Sequence, residues 1–419
     1  MLINIILIFT ILLFSFFYFK YSKITILFFI SILPSYLLRF SFFNLPTTFL
    51  EIVFFGIFLG FIIKWFIYRF DLRTGGWSII LFFLLLISII QIKISPDSIS
   101  ALGIWRAYFL EPIIFFIISL STFGHKDFEK IINSLGISCF VISIYSIFQK
   151  FTGIGISNID SSWIISETRR VTSFFPYPNA LALFLSPISI IFFIMFIKKI
   201  KEKKYLISFI YLLIFILSFL SVFFAKSDAG VISIIMSLLL FPVLYFKKGF
   251  NLLFLYIPIL TSLFIIQSPI KDKINFKDYS GNIRLDIWEE TGEMLNDNFI
   301  FGSGINGYQE VMKKYHMNNY FDIFLYPHNL FLNFWVEIGL IGLIIFIIIF
   351  FKFFKNCYKY KKNNNYYYIF LTLSFISIII HGLVDVPYFK NDLSMLFWII
   401  IMLSCLLDLK KDNLLYTNQ

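Results

Sequence analysis

Residues 281–342 read GNIRLDIWEETGEMLNDNFIFGSGINGYQEVMKKYHMNNYFDIFLYPHNLFLNFWVEIGLIG, and this stretch decides the fold through its contrast with its surroundings. It is the longest soluble-looking segment in a chain otherwise made mostly of apolar runs. Those runs are about 18 to 22 residues long, enough to cross roughly 30 Å of hydrocarbon. The stretch also holds Arg284, able to grip an oxyanion, and His328, able to move a proton. The flanking helices are expected to hold it over one face of a bilayer.

Composition agrees. Of 419 residues, 59% are hydrophobic and 14% charged, against about 25% charged in ordinary soluble domains. The 59 Phe residues read as lipid-facing packing rather than as ligand boxes. A net charge of +11 suggests nucleic acid only until its placement is considered. The lysines sit in short loops between apolar runs, as orientation signals do, and no nucleic-acid motif is present. Cys139, Cys357 and Cys405 are scattered and give neither metal spacing nor a disulfide framework. The first run lacks a cleavage pattern and a basic start, so it reads as a membrane helix rather than a removable signal.

Helices are expected near 2–19, 24–40, 47–67, 75–94, 99–120, 128–151, 177–197, 205–225, 229–246, 250–268, 329–351, 366–386 and 392–409. The fold class is therefore all-α: a polytopic bundle of about 12 to 13 spans. Alternate loops carry Lys20, Lys23, Arg69, Arg73, Lys126, Lys198, Lys199, Lys201, Lys352, Lys355 and other basic residues. The opposite loops carry few, so the lysine-bearing set is expected in the cytoplasm. The loop 269–328, between spans ten and eleven, then lies outside with 152–176, the turn 226–230 and the turn 387–391.

Within the long loop, 284–297 places Ile287, Trp288, Thr291, Met294 and Leu295 on one helical face, and 307–317 does the same with Tyr308, Val311, Met312 and Tyr315. Gly302-Ser-Gly304-Ile-Asn-Gly307 is a literal G-x-G-x-x-G, but dinucleotide binding needs a βαβ unit around it. A sharp reversal ahead of the second helix fits better.

Polar groups gather toward the outer side. Asn329, Asn333 and Glu337 continue from His328 at helical spacing, a stripe that normally faces a cavity. Glu51, Arg106, Glu111, Asp228, His381 and Asp385 lie inside spans or at their outer ends. Mutual salt bridging that merely pins helices is the plain alternative for Glu51, Arg106 and Glu111. Together these groups suit displacement of a diphosphate from an anomeric carbon, with Arg on the departing oxygens and His as base. No compact Asp-x-Asp pair occurs outside, so neither a metal nor a cofactor is expected.

Asn296-Asp-Asn-Phe-Ile-Phe-Gly-Ser-Gly304, Pro327-His-Asn-Leu330 and Glu337-Ile-Gly-Leu-Ile-Gly342 together resemble the signature of the O-antigen ligase/polymerase family. Arg284 with Trp288 is similar to that family's Arg at the start of its large extracytoplasmic loop. Phe174-Phe-Pro-Tyr-Pro-Asn-Ala-Leu-Ala182 is similar to its loop-to-helix motif. The similarity runs from about Val171 to Asp385, within a ligase-like region 171–409 that follows an N-terminal membrane region 1–170 and precedes a cytoplasmic tail 410–419.

This resemblance implies a metal-independent, inverting glycosyltransferase of the GT-C kind in the cytoplasmic membrane. It would move a glycan from an undecaprenyl-diphosphate carrier to an acceptor hydroxyl of a glycan, lipid or protein. His328 would be the base and Arg284 a diphosphate ligand, with Asn329 and Glu337 beside them. The family usually has a second basic residue in a Ser-Arg-Gly-like turn, where this chain has Ala225-Lys-Ser-Asp-Ala-Gly230. Lys226, Arg169, Arg170 and Arg106 are candidates for that role. The competing class is a transporter or flippase of lipid-linked sugars, which should carry charge along a whole path.

Overall fold

Described in the computed structural model are residues 2–43, 45–156, 160–246, 249–252, 276–317, 320–361 and 365–416. Their long elements are α1 (Leu2–Ser31), α2 (Phe49–Tyr68), α3 (Ser78–Ile94), α4 (Ser98–Thr122), α5 (Phe128–Thr152), α6 (Pro178–Lys201), α7 (Tyr205–Phe224) and α8 (Asp228–Tyr245). The polar segment supplies α9 (Tyr279–Asp297) and the short α10 (Tyr308–Met312), and α11 (Leu330–Tyr358), α12 (Tyr366–Gly382) and α13 (Asn391–Tyr416) follow. Among the described residues, eight helices are long and apolar enough to cross a membrane, and α3, α12 and the Asn391–Leu407 part of α13 are shorter apolar helices. The chain is an all-α multi-pass membrane bundle. The expected span 250–268 lies, from residue 253 on, outside the described residues.

The first two expected spans form the arms of α1, which loses helical geometry at Tyr21. Phe14 and Phe28 stack with ring centroids 5.7 Å apart, whereas a straight helix would hold residues fourteen apart at about 21 Å. The chain therefore doubles back at Tyr21. The second arm ends at Ser31 rather than near residue 40. Pro34 cannot donate to a helix, and a 3-10 turn Leu33–Leu37 leads into a hairpin pairing Arg39–Phe42 with Leu45–Thr48.

Loop contacts sort the two ends of the bundle. At one end Lys23 meets Asp127 at 2.5 Å, Lys199 and Lys198 share Glu129, and Tyr367 donates to Glu129. At the other end Phe43 is held by Asn4, Asn391 by Glu51, and Tyr177 by Tyr326. The lysine-bearing loops thus gather at the end opposite the polar segment. The two segments expected as loop helices form α9 and α10. They bury Met294, Leu295, Tyr308, Met312 and Tyr315 against Val336 in a small core of their own.

The polar segment is joined to the bundle through a break in α11. Ile338 and Gly339 leave helical geometry, Gly339 at φ 72° and ψ 175°, a region essentially reserved for glycine. The loop fills the gap: Leu340 N–H donates to Ile300 O at 3.0 Å and Ser303 N–H to Val336 O at 2.8 Å. A Cβ on residue 339 would stand 2.4 Å from Ile300 O. Gly339→Ala should therefore destabilise the fold by at least about 1–3 kcal/mol, seen as a lowered thermal midpoint of the detergent-purified protein.

Candidate active site

α9 rests on its small core, where Thr291 shares a 2.7 Å hydrogen bond with the Tyr308 hydroxyl. Its first turns face the segment after α12. Half-buried Arg284 donates through Nε to Val384 O at 3.1 Å and through Nη1 to Ser280 O and Oγ at 3.2 and 2.6 Å. One turn on, Trp288 donates from Nε1 to Pro327 O at 2.9 Å, which fixes the residue before His328.

His328 has φ 47°, a left-handed backbone uncommon outside glycine and worth tying to function. Its ring sits edge-on to Phe324 and Tyr326, with centroids 5.1 and 4.9 Å away. Nδ1 lies 3.6 Å from Asp385 Oδ1 with 19% of the side chain exposed, in ion-pair range but beyond hydrogen-bond length. Asn329 caps α11, accepting from Phe331 and Leu332 N–H, and donates to Leu383 O at 2.9 Å. Arg284, His328 and Asn329 thus converge on one turn, 383–385, from two separate elements.

Burial works against a charged Asp385. The facing His328 and His381 imidazoles and the Lys390 ammonium nevertheless hold its carboxyl well below the usual carboxylate range. Lys390 lies 4.0 Å from the centre of the Tyr177 ring. Burial pulls its pKa down to about 8, although Asp392 and Asp385 favour the charge. The Tyr177 hydroxyl in turn bonds that of Tyr326 at 3.0 Å. A chain of contacts therefore links Lys390 to the segment carrying His328.

The remaining expected residues have other work. Arg106 pairs with Glu51 at 3.2 Å and Glu111 at 3.1 Å, the plain salt bridging weighed from the sequence. Glu51 also completes the capping box of α2 with Thr48. Arg169 donates to Lys150 O and Phe151 O at the end of α5. Arg170 reaches Ala225 O at 3.0 Å, Lys226 O at 3.4 Å and Asn179 Oδ1 at 3.5 Å. Arg170 and Lys226 thus share the turn where the resemblance expects a second basic residue. Glu337 turns into the loop and accepts from Asn306 N–H at 2.7 Å, holding the Gly302–Gly307 reversal. Among the described residues none of Arg106, Arg169, Arg170, Lys226 and Glu337 touches His328.

Sequence reasoning passed over one organiser, Gln149, and gave a second, Asp385, no role beyond its place among the outer-side charges. Gln149, fully buried, donates to Gly155 O and Ser173 O and accepts from Thr172 and Ser173 N–H at 2.6 to 3.0 Å. All of its hydrogen-bonding capacity goes into the loop that leads to Tyr177. Its signal was a lone Gln near the end of an apolar run. Asp385 follows His381 at helical i, i+4 spacing, and that spacing was its signal.

The O-antigen ligase family model matches residues 180–347, a range that includes Lys226, Arg284, His328, Asn329 and Glu337. Over that range the chain is similar to O-antigen ligases. No curated protein matches the sequence. The match ends inside α11, so the turn that gathers its His and Arg comes from the α12–α13 connection beyond the matched range. The matched range and the membrane bundle around it support a ligase or polymerase role in glycan transfer.

Glu337→Gln keeps an acceptor for Asn306 and should leave the thermal midpoint nearly unchanged. Glu337→Leu orphans that amide and should remove about 1–3 kcal/mol, both read by thermal unfolding in detergent.

Proposed function

We propose that this protein transfers a glycan from an undecaprenyl-diphosphate carrier to an acceptor hydroxyl at the outer face of the cytoplasmic membrane, by an inverting, metal-independent reaction. The observation carrying this reading is the convergence of Arg284 and His328 on the 383–385 turn, through Val384 O at 3.1 Å and Asp385 Oδ1 at 3.6 Å. His328, with Nδ1 toward Asp385, takes the acceptor's hydroxyl proton on Nε2. The acceptor oxygen bonds to the anomeric carbon as the bond from that carbon to the diphosphate oxygen breaks. The departing oxygen keeps the electron pair, and the Arg284 guanidinium neutralises it. Arg284 Nη2, which makes no hydrogen bond among the described residues, is the donor left for that oxygen. The Asp385 carboxylate orients the imidazole and stabilises the imidazolium as it forms. Arg170 and Lys226, at the 225–227 turn, supply further positive charge for the carrier.

A transporter would use a helix break to open a path. The break in α11 is instead closed by Ile300 and Ser303 of the loop, and the matched family favours transfer.

The test is release of undecaprenyl diphosphate from a lipid-linked glycan, with an acceptor supplied, in detergent or liposomes. His328→Ala should keep an unchanged elution profile and thermal midpoint yet lose about 10²–10⁴-fold in turnover. Near-normal turnover would remove His328 from the mechanism. Arg284→Lys keeps the charge but not the fork. It should fall at least tenfold, and an unaltered rate would exclude a phosphate role that needs the guanidinium's geometry.

A further inference from the structure

At the lysine-bearing end, the reversal of α1 opens a cavity of about 460 Å³ between α1, α2 and the end of α4. Its walls carry three ammonium groups, Lys20, Lys23 and Lys64, and five hydroxyls, Tyr18, Tyr21, Ser22, Ser121 and Thr122. The floor is rigid: Tyr18, 1% exposed, shares a 2.8 Å hydrogen bond with Thr122. Two glycines one helical turn apart let α1 lie close against α2 above it, with Gly60 so near that a Cβ would meet Ser15 O at 2.5 Å.

The charges in this cavity are not balanced. Lys23 is matched by Asp127 at 2.5 Å, and that carboxylate is shared with Lys130 at 3.2 Å. Lys64 donates only to Ser22 Oγ at 2.7 Å, and Lys20 lies over the Tyr21 ring. Neither has a carboxylate partner among the described residues. Ser22, Lys23 and Ile24, the first turn of the second arm, also line the space. That turn presents the positive end of a helix dipole. Two uncompensated cations, hydroxyl donors and a helix start around one cavity make a receptor for a phosphate anion.

The rim indicates what carries the phosphate. Ile24 on the lining is 66% exposed, and Phe66, Ile67 and Tyr68 in the last turn of α2, just beyond Lys64, are 56%, 58% and 61% exposed, so the end of the helix pair next to the cavity carries side chains that belong against acyl chains. We propose that this cavity binds the phosphate of an anionic phospholipid headgroup, its chains lying along α1 and α2, and so pins the α1 hairpin to the bundle.

The full chain purified in detergent tests this by native mass spectrometry and thermal shift. Added probes are phosphatidylglycerol, diacylglycerol of the same chains, and inorganic phosphate. The variants are Lys20→Gln/Lys64→Gln, Lys20→Gln alone, and Lys355→Gln as a charge control at the same end. Phosphatidylglycerol should stay bound and raise the thermal midpoint of wild type and Lys355→Gln. Its affinity should drop at least tenfold in the double variant and measurably in Lys20→Gln, an exposed position whose loss leaves the fold intact. Displacement of the lipid by millimolar inorganic phosphate would mark the bare anion as a sufficient ligand, and its failure would mark the lipid. Equal phosphatidylglycerol binding by wild type and both Lys20 variants, or equal binding of diacylglycerol, would overturn the proposal.

Discussion

A backbone amide or carbonyl that leaves a helix within hydrocarbon has no water to turn to and must find its partner inside the protein. The architecture around the candidate site follows from this constraint. α11 breaks at Ile338–Gly339, and the freed groups are met by Ile300 and Ser303 from the polar segment. The same segment gives Asn306 N–H to Glu337. The segment is therefore fastened to the membrane core by the repair of a helix defect. With its base fixed there, α9 projects Arg284 toward the 383–385 turn, and Trp288 fixes Pro327. Gln149 solves the equivalent problem for the loop before α6 by pairing four backbone groups with one side chain.

Much of this was legible in the sequence because the signals were physical and local. Apolar runs of membrane length placed the helices. Alternation of lysines between loops sorted the ends, and the structure gathers those loops by direct contacts. Spacing at three and four residues marked the buried face of α9. What escaped depends on long-range pairing. Nothing local tells a Glu that lines a cavity from one that caps a distant amide, so Glu337 read as a substrate contact although it faces Asn306. Arg169 had the same ambiguity, and its carbonyl partners lie at the end of a helix nineteen residues earlier. The doubling back at Tyr21 was itself legible, since it falls in the expected Lys20–Lys23 loop between the first two spans. The outer halves of the strands after Pro34, 39–40 and 47–48, were read as helix because four-residue runs carry too little periodicity to oppose a hydrophobic flank.

The Glu129 network and the Asp385 cluster treat buried charge in opposite ways. Near Glu129, each ammonium has a carboxylate: Lys198 and Lys199 both pair with Glu129 and Glu202. The Tyr367 hydroxyl donates to Glu129 as well, at 2.9 Å. A closed network of this kind joins helices and has no donors left for a ligand.

Around Asp385 the opposite holds. His328 Nδ1, both ring nitrogens of His381 and Lys390 Nζ are buried atoms that make no hydrogen bond among the described residues. Unpaired buried polar atoms of this kind are expensive, on the order of 1–3 kcal/mol each. A fold that needed only to hold helices together would have paired them, as it did around Glu129, or replaced them with apolar groups. Their persistence in one cluster, beside a histidine in left-handed backbone and an arginine with a free guanidinium nitrogen, is accounted for if an anionic ligand with hydroxyls completes the set. A sugar diphosphate has that chemistry, with oxygens for the cations and a hydroxyl partner for the imidazole, which is why the cluster reads as a site for transfer and not as a strut.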